Sequence, residues 1–232
     1  MPLAKEKENF YTVNTTSGRY YHSDTRSDVW FPSVTTIIGY RNRGKYAGKN
    51  YVGPAASLGS IVHYKLLKTY TEKVLPYPSD PVFGLSHEEA QDRIDRCLAM
   101  WYDVTAPLKI KPLAVESVVY SLHPRYSGRI DMLCKANGEL TLLDIKTGAS
   151  YEPDHSMQAA AYVNALKWKP KKVMYVYLDA VIDRNPSQKG SIHTYSMYDM
   201  RSAYEEFLNV YTEFGGFISP ETFPTKNTHH DA

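Results

Sequence analysis

Cysteine is nearly absent from this chain of 232 residues: Cys97 and Cys134 stand alone, with no CxxC or similar cluster. Two thiols cannot build a four-cysteine zinc or iron-sulfur centre within one chain, so no iron-sulfur cluster is expected. Long apolar runs are missing as well. No stretch of ~18 apolar residues offers a membrane-spanning helix, and the first residues, MPLAKEKENF, lack the apolar core of a signal peptide. The expectation is a soluble, intracellular protein, cytoplasmic if the source is bacterial or phage. A large excess of charge is lacking too, since the formal net charge is only +2. Any contact with nucleic acid must come from local patches, not from a generally basic surface. The length suits one domain spanning 1–232, read as a helical annex over about 32–110 and a core over about 112–215.

What the sequence does have is a hairpin, GRIDMLCKANGELTLLDIKTG, from Gly128 to Gly148. Asn137-Gly138 between two alternating runs signals a type I′ turn, which needs positive φ at both central residues. The turn fixes the register. Ala136 then pairs with Glu139, and continuing the ladder sets Asp131 opposite Asp144 and Arg129 opposite Lys146. Opposed residues share a face of the sheet, with Cβ atoms about 4.5–5.5 Å apart. Two carboxylates so placed need a cation between them or a proton on one of them. Oxygen ligands favour a hard ion such as Mg²⁺ or Mn²⁺. Lys146 lies on the same face as Asp144, two residues on, while Ile145 points the other way. Cys134 is expected on the apolar face with Ile130 and Met132. An exposed Asp/Lys face on an ordinary hairpin is the alternative, and the neighbouring sequence has to decide.

Before the hairpin, YTVNTTSGRYY reads as a short hairpin around Ser17-Gly18, and Ser33 as the N-cap of a short helix in SVTTIIGY. In YRNRGKYAGKNY, cations Arg41, Arg43, Lys45 and Lys49 interleave with Tyr40, Tyr46 and Tyr51. That pattern suits single-stranded nucleic acid, where phosphates meet cations and bases stack on rings; a solvated loop is the alternative. Ala55–Val74 has helical periodicity with His63 at the edge of the apolar stripe. A Pro-rich connector, LPYPSDP, follows. Ser86 and Glu89 form a capping box that opens a helix to about Tyr102.

LAVESVVYS then alternates as a strand carrying Glu116. If the next connection is symmetrical about His123-Pro124, Glu116 faces Asp131, and three acids stand side by side on adjacent strands. Beyond the hairpin, a helix over Asp154–Trp168 sets Gln158 and Tyr162 four apart on one face. Lys167, Lys169, Lys171 and Lys172 cluster beside Trp168 as a solvated turn or a phosphate-contacting patch. VMYVYLDAV has the continuous apolar character of a sheet interior. Ser191–Ser196 adds a strand, and Tyr198–Phe214 a closing helix.

These pieces, in this order, resemble the PD-(D/E)XK nuclease superfamily, and within it the RecB-like exonucleases, which include CRISPR-associated RecB-like enzymes and mitochondrial genome maintenance exonucleases. The matching residues are His63 in LGSIVHYKLL, Glu116 in AVESVVY, Asp131 in GRIDMLC, Asp144 and Lys146 in LLDIKTG, and Gln158 with Tyr162 in QAAAY. The resemblance implies an α/β fold with a restriction-endonuclease-like core, a central mixed sheet flanked by helices, and an N-terminal helical annex. It implies Asp131 and Asp144 as central metal ligands joined by the Ile145 carbonyl, with His63 and Glu116 as further ligands to one or two Mg²⁺ or Mn²⁺ ions. Lys146 would position or activate water, and Gln158 and Tyr162 would support the site and the strand; Arg129 of the hairpin, outside the matching residues, is expected as a further supporting or strand-binding residue. Beside two aspartates Lys146 is favoured as a cation, so an orienting and electrostatic role is expected in place of a general base. The cluster-forming cysteines common in that branch are missing here.

The expected function is a metal-dependent DNA nuclease, an exonuclease on single-stranded or end-processed DNA. A structure-specific endonuclease of the same fold is the alternative, as is a non-catalytic nucleic-acid-binding module. A decayed module usually loses an Asp or the Lys, and this chain has both.

Overall fold

A computed structural model describes residues 9–15, 18–41, 54–75, 77–78, 85–147, 153–178 and 190–215. Three short strands come first: β1 (Phe10–Thr15), β2 (Gly18–Ser23) and β3 (Arg26–Pro32), followed by α1 (Val34–Arg41), α2 (Pro54–Lys68) and α3 (His87–Thr105). Then come β4 (Lys111–Leu122), β5 (Arg125–Ala136), β6 (Glu139–Lys146), α4 (Pro153–Ala165), β7 (Lys172–Tyr177), β8 (Ser191–Ser196) and α5 (Met197–Phe214). The first three strands make a small antiparallel sheet, and the other five make a central sheet in sequence order. Only β6 and β7 run parallel there, because α4 carries the chain back across the sheet; every other neighbouring pair is antiparallel. The chain is therefore mixed α/β with a five-stranded mixed sheet between helical layers.

Local chemistry sets the helix ends. Ser33 Oγ accepts the Thr36 N–H at 3.0 Å to start α1, and the Ser86/Glu89 capping box starts α3 with both reciprocal bonds in place. Helix α2 stops at Lys68, short of the predicted Val74. There the Thr69 hydroxyl and N–H both turn back to the Leu66 carbonyl, and Tyr70 N–H donates to Leu67. These tight closing bonds end the ladder. Helix α4 ends at Ala165, before the predicted Trp168. Lys169 Nζ donates to the Val163 and Asn164 carbonyls at 2.9 and 2.8 Å, and Lys172 Nζ pairs with Glu139 at 2.8 Å. Two of the four clustered lysines thus hold the fold together.

The sheet is buried on both faces. One side packs Val34, Ile37, Met157, Tyr162, Met200 and Phe207 from α1, α4 and α5. The other packs Leu58, Val62, Leu66, Ile94, Cys97 and Trp101 from α2 and α3. Helices α2 and α3 therefore form one layer over the sheet, while α1 joins α4 and α5 on the opposite face. The small sheet is tied to β4 through Phe10, Phe31 and Tyr120, whose ring centroids lie 5.0–6.0 Å apart. No helix among the described residues is long and apolar enough to cross a membrane.

Two expectations about the strands need correction. Ile130, Met132 and Cys134 do not share a face: Ile130 packs toward α4 and α5, whereas Met132 and Cys134 pack toward α2 and α3. The same switch occurs on β4, where Val115 joins the α2 side and Val119 the α4 side. The cause is Glu116, held at φ 45°, a left-handed conformation that is uncommon for a residue with a side chain. It interrupts the ladder between Val115–Met132 and Ser117–Ile130, and both strands change phase together.

Candidate metal centre

Asn137 and Gly138 adopt φ of 51° and 85°, as a two-residue hairpin turn requires, and the predicted register holds from Ala136–Glu139 to Met132–Leu143. Past that pair β5 and β6 part. Arg129 and Lys146 therefore do not face each other, contrary to the extrapolated ladder. Arg129 Nη1 lies 3.7 Å from Glu116 Oε2, whereas Lys146 Nζ lies 2.6 Å from Asp144 Oδ2. The physical reason is a substitution of partners. Asp131 Oδ2 accepts the Ile145 N–H at 2.7 Å, so a side chain takes the bond a neighbouring backbone would have made.

The β4–β5 register runs symmetrically about His123-Pro124 to Leu122–Arg125, as predicted, so Glu116 and Asp131 sit at matching positions where the ladder is interrupted. There His63 from α2 joins them. Its Nδ1 lies 3.5 Å from Asp131 Oδ1, and one ligand atom from each of His63, Glu116 and Asp131 falls within 4.8 Å of the others. One imidazole nitrogen and two carboxylate oxygens this close suit a divalent cation of hard or intermediate character.

The electrostatics show how strongly these groups feel one another. Burial, the largest single influence, would lower the His63 pKa, but the charge and hydrogen bond of Asp131 together with the Asp144 charge raise it. Burial would raise Asp131, yet His63, Lys146 and the Ile145 amide together hold it below the usual carboxylate range. Glu116 is raised by burial and by the Asp131 charge, against Arg129 and His63. Asp144 is raised chiefly by burial, with Asp131 adding to it and Lys146 opposing. The acids are thus uneven: Asp131 is held ionised, and Glu116 and Asp144 hold protons more readily than free carboxylates do.

Asp144 stands apart from the triad of ligand atoms, close to Lys146. Lys146 Nζ also donates to Gln158 Oε1 at 2.7 Å, and Gln158 Nε2 donates to Tyr162 Oη at 3.1 Å. Helix α4 carries both residues of this chain, and it is fixed to the sheet by two tyrosines. Tyr126 donates to the Ala161 carbonyl at 3.0 Å, and Tyr175 to that of His155 at 2.8 Å. Gly128 lets α4 approach β5 closely, for a Cβ there would overlap the Tyr162 ring.

His63, Glu116, Asp131, Arg129, Gln158 and Tyr162 all line one cleft of about 630 Å³. Arg41 does not line it; it pairs with Glu206 of α5. Arg43, Lys45, Tyr46 and Lys49 lie outside the described residues. The sequence reading missed other lining residues, among them Arg19, Tyr21 and Thr35 from β2 and α1, and Tyr64, Leu75 and Tyr77 from α2 and the segment after it. The one signal available was Tyr64, next to His63. The contribution of β2 depends on tertiary docking that no local pattern announces.

No curated protein sequence matches this chain. Among solved structures, one described as the crystal structure of SSO0001 is similar over 82% of this chain and 95% of that one, at 14% identity and a TM-score of 0.31, too loose a likeness to bear on the site. The model of the PD-(D/E)XK nuclease superfamily, in contrast, matches residues 40–229 and takes in every strand of the central sheet together with His63, Glu116, Asp131, Asp144 and Lys146. The chain belongs to the PD-(D/E)XK nuclease superfamily.

Proposed function

We propose that this member of the superfamily is a metal-dependent deoxyribonuclease that works as an exonuclease on single-stranded or end-processed DNA, with residues 1–232 acting as one unit. The observation that carries the reading is the convergence of His63, Glu116 and Asp131 within 4.8 Å, beside the Asp144–Lys146 pair. The donor set fits Mg²⁺ or Mn²⁺: His63, Glu116 and Asp131 would hold the ion, and Asp144 and the Ile145 carbonyl would serve as its further ligands. Such an ion supplies Lewis-acid neutralisation of phosphate charge and a hydroxide nucleophile at neutral pH.

The chain's own residues do the rest. Lys146, fixed by Asp144 and Gln158, orients water for attack on phosphorus and offsets negative charge as the P–O bond to the leaving oxygen breaks and that oxygen takes a proton. Tyr162 holds Gln158 in place. Arg129 faces the cleft and adds a positive charge for the strand backbone. The resemblance to RecB-like exonucleases favours DNA ends over internal sites.

The test is a gel assay of 5′-labelled and 3′-labelled single- and double-stranded DNA in Mg²⁺, Mn²⁺ or EDTA, beside Asp144→Ala. Metal-dependent shortening that the variant lacks supports the proposal, and the label released as mononucleotide gives polarity. Internal cuts point to an endonuclease. Binding without cleavage by folded protein points to a module that has kept only the fold.

A further inference from the structure

The described part of the cleft has a wall that the chemistry above does not use. Tyr64 follows His63 directly on α2 and lines the same cleft as the ligand cluster. Tyr77 comes from the connector after α2 and packs edge-to-face on Tyr64, with centroids 5.0 Å apart and planes at 83°. Yet Tyr77 is 63% exposed. A large ring on a cleft wall with most of its surface in water is an unusual use of apolar area, and an edge-to-face pair leaves at least one ring face open. Arg19 of β2 lines the same cleft and is exposed, and its Nε donates to Asn14 Oδ1 at 3.3 Å; among the described residues it pairs with no carboxylate. One cleft thus offers a π face and a guanidinium together with the ligand cluster.

We propose that Tyr64 and Tyr77 form a stacking subsite for an unpaired base of the strand being cut, with Arg19 taking a neighbouring phosphate, and that this subsite makes the enzyme select single-stranded ends. The inference rests on the nuclease reading of the same cleft. Its physical basis is simple. Inside a duplex both faces of a base are stacked on its neighbours, so only a frayed or single-stranded base can present a face to the ring. Stacking is tolerant of base identity, because every base has a π face, whereas the phosphate contact sets register along the backbone. A volume of about 630 Å³ lies within the range of roughly 300–1,000 Å³ typical of small-ligand clefts. Tyr64 anchors and Tyr77, the more exposed of the two, closes the stack.

The experiment uses the full chain and oligonucleotides carrying 2-aminopurine at the 5′ or the 3′ terminus, single-stranded or annealed, titrated in EDTA so that hydrolysis cannot shorten them. The expected result is fluorescence quenching at one terminus of the single strand by the wild type, lost in Tyr77→Ala and retained in Tyr77→Phe. Affinity for the single strand should fall about fivefold or more in Tyr77→Ala, the lower end expected for loss of one stacked base. In Mg²⁺ the same variant should raise KM for single strands more than it lowers kcat, and narrow the preference over duplex. Quenching and single-strand preference in Tyr77→Ala equal to the wild type overturn the subsite, as does a wild type that quenches neither end. Failure of the nuclease reading shows separately, as a wild type that shortens no strand in Mg²⁺ or Mn²⁺ while the quenching results still decide the subsite.

Discussion

Asp131 accepts the backbone N–H of Ile145 at 2.7 Å, one step past the last bonded pair of β5 and β6. One carboxylate therefore does two things, closing the gap where the strands part and offering its other oxygen toward His63.

Replacing it should separate the two roles. Asp131→Asn keeps an oxygen for the Ile145 amide, so stability should hold within about 1 kcal/mol while metal-dependent cleavage is lost. Asp131→Ala removes the acceptor as well and should cost roughly 1–3 kcal/mol more, the penalty of an unsatisfied buried donor. Urea unfolding of both apoproteins, beside the gel assay, checks the pair. Equal stability of the two variants would show that the amide bond contributes nothing.

The relay from Tyr162 through Gln158 to Lys146 should be felt in turnover. Gln158→Met keeps length but not the acceptor at 2.7 Å from Lys146 Nζ. Loss of a group that holds a site residue in place typically costs about 10–100-fold, and kcat should fall by that much with KM little changed. A purely structural role would instead lower thermal stability and leave the kcat of the folded fraction intact.

Gly128→Ala should disturb the same relay from the other end. The added Cβ would overlap the Tyr162 ring, and Tyr126 and Ile130, two residues to either side, are packed in the core. Overpacking of this kind costs about 1–3 kcal/mol, and the displaced ring should also reduce cleavage. Pairing the change with Tyr162→Ala should restore stability in part, which a double-mutant cycle reads directly.

The dependence on pH has opposite signs for metal binding and for folding. His63 and Glu116 both have raised pKa values and must lose their protons to act as ligands. Affinity for Mn²⁺ should therefore increase as pH rises through and above the ordinary histidine value of about 6.5, with protons released on binding. In the apoprotein, the raised His63 contributes stability that is fully present below its unfolded value and is lost as pH rises through its folded one. Asp131, whose value is lowered, contributes stability present above the unfolded carboxylate value and lost in acid. Calorimetry in buffers of different ionisation enthalpy checks the proton release. Denaturant curves across the same pH range check the opposite slope.

Much of the fold could be read from local chemistry. Asn137-Gly138 announces its turn because few residues accept positive φ at both positions, and Ser86 with Glu89 announces α3 because the two groups satisfy each other's backbone donors. The site was legible only as far as such rules reach. The register set Asp131 against Asp144, yet the ladder stops at Met132–Leu143, because a competing side-chain bond to Ile145 is a tertiary outcome. Nothing in the propensity of glutamate predicts φ 45° at Glu116, and the phase change that follows from it misassigns Ile130. Arg41 looked like part of a basic patch until Glu206, far along the chain, took it as a partner.

That phase change has a mechanical consequence. Upstream of Glu116 the paired strands pack against both layers, Ala114 and Leu133 with α4 and α5 and Val115 and Met132 with α2 and α3; downstream, Val119, Tyr126 and Ile130 pack with α4 and α5. The acids stand at the point along these strands where the α2 and α3 contacts of Val115 and Met132 give way to the α4 and α5 contacts of Val119 and Ile130. A load applied there is shared by both layers, so cation binding should slow amide exchange in α2 and α4 together, although α4 contributes no residue to the triad.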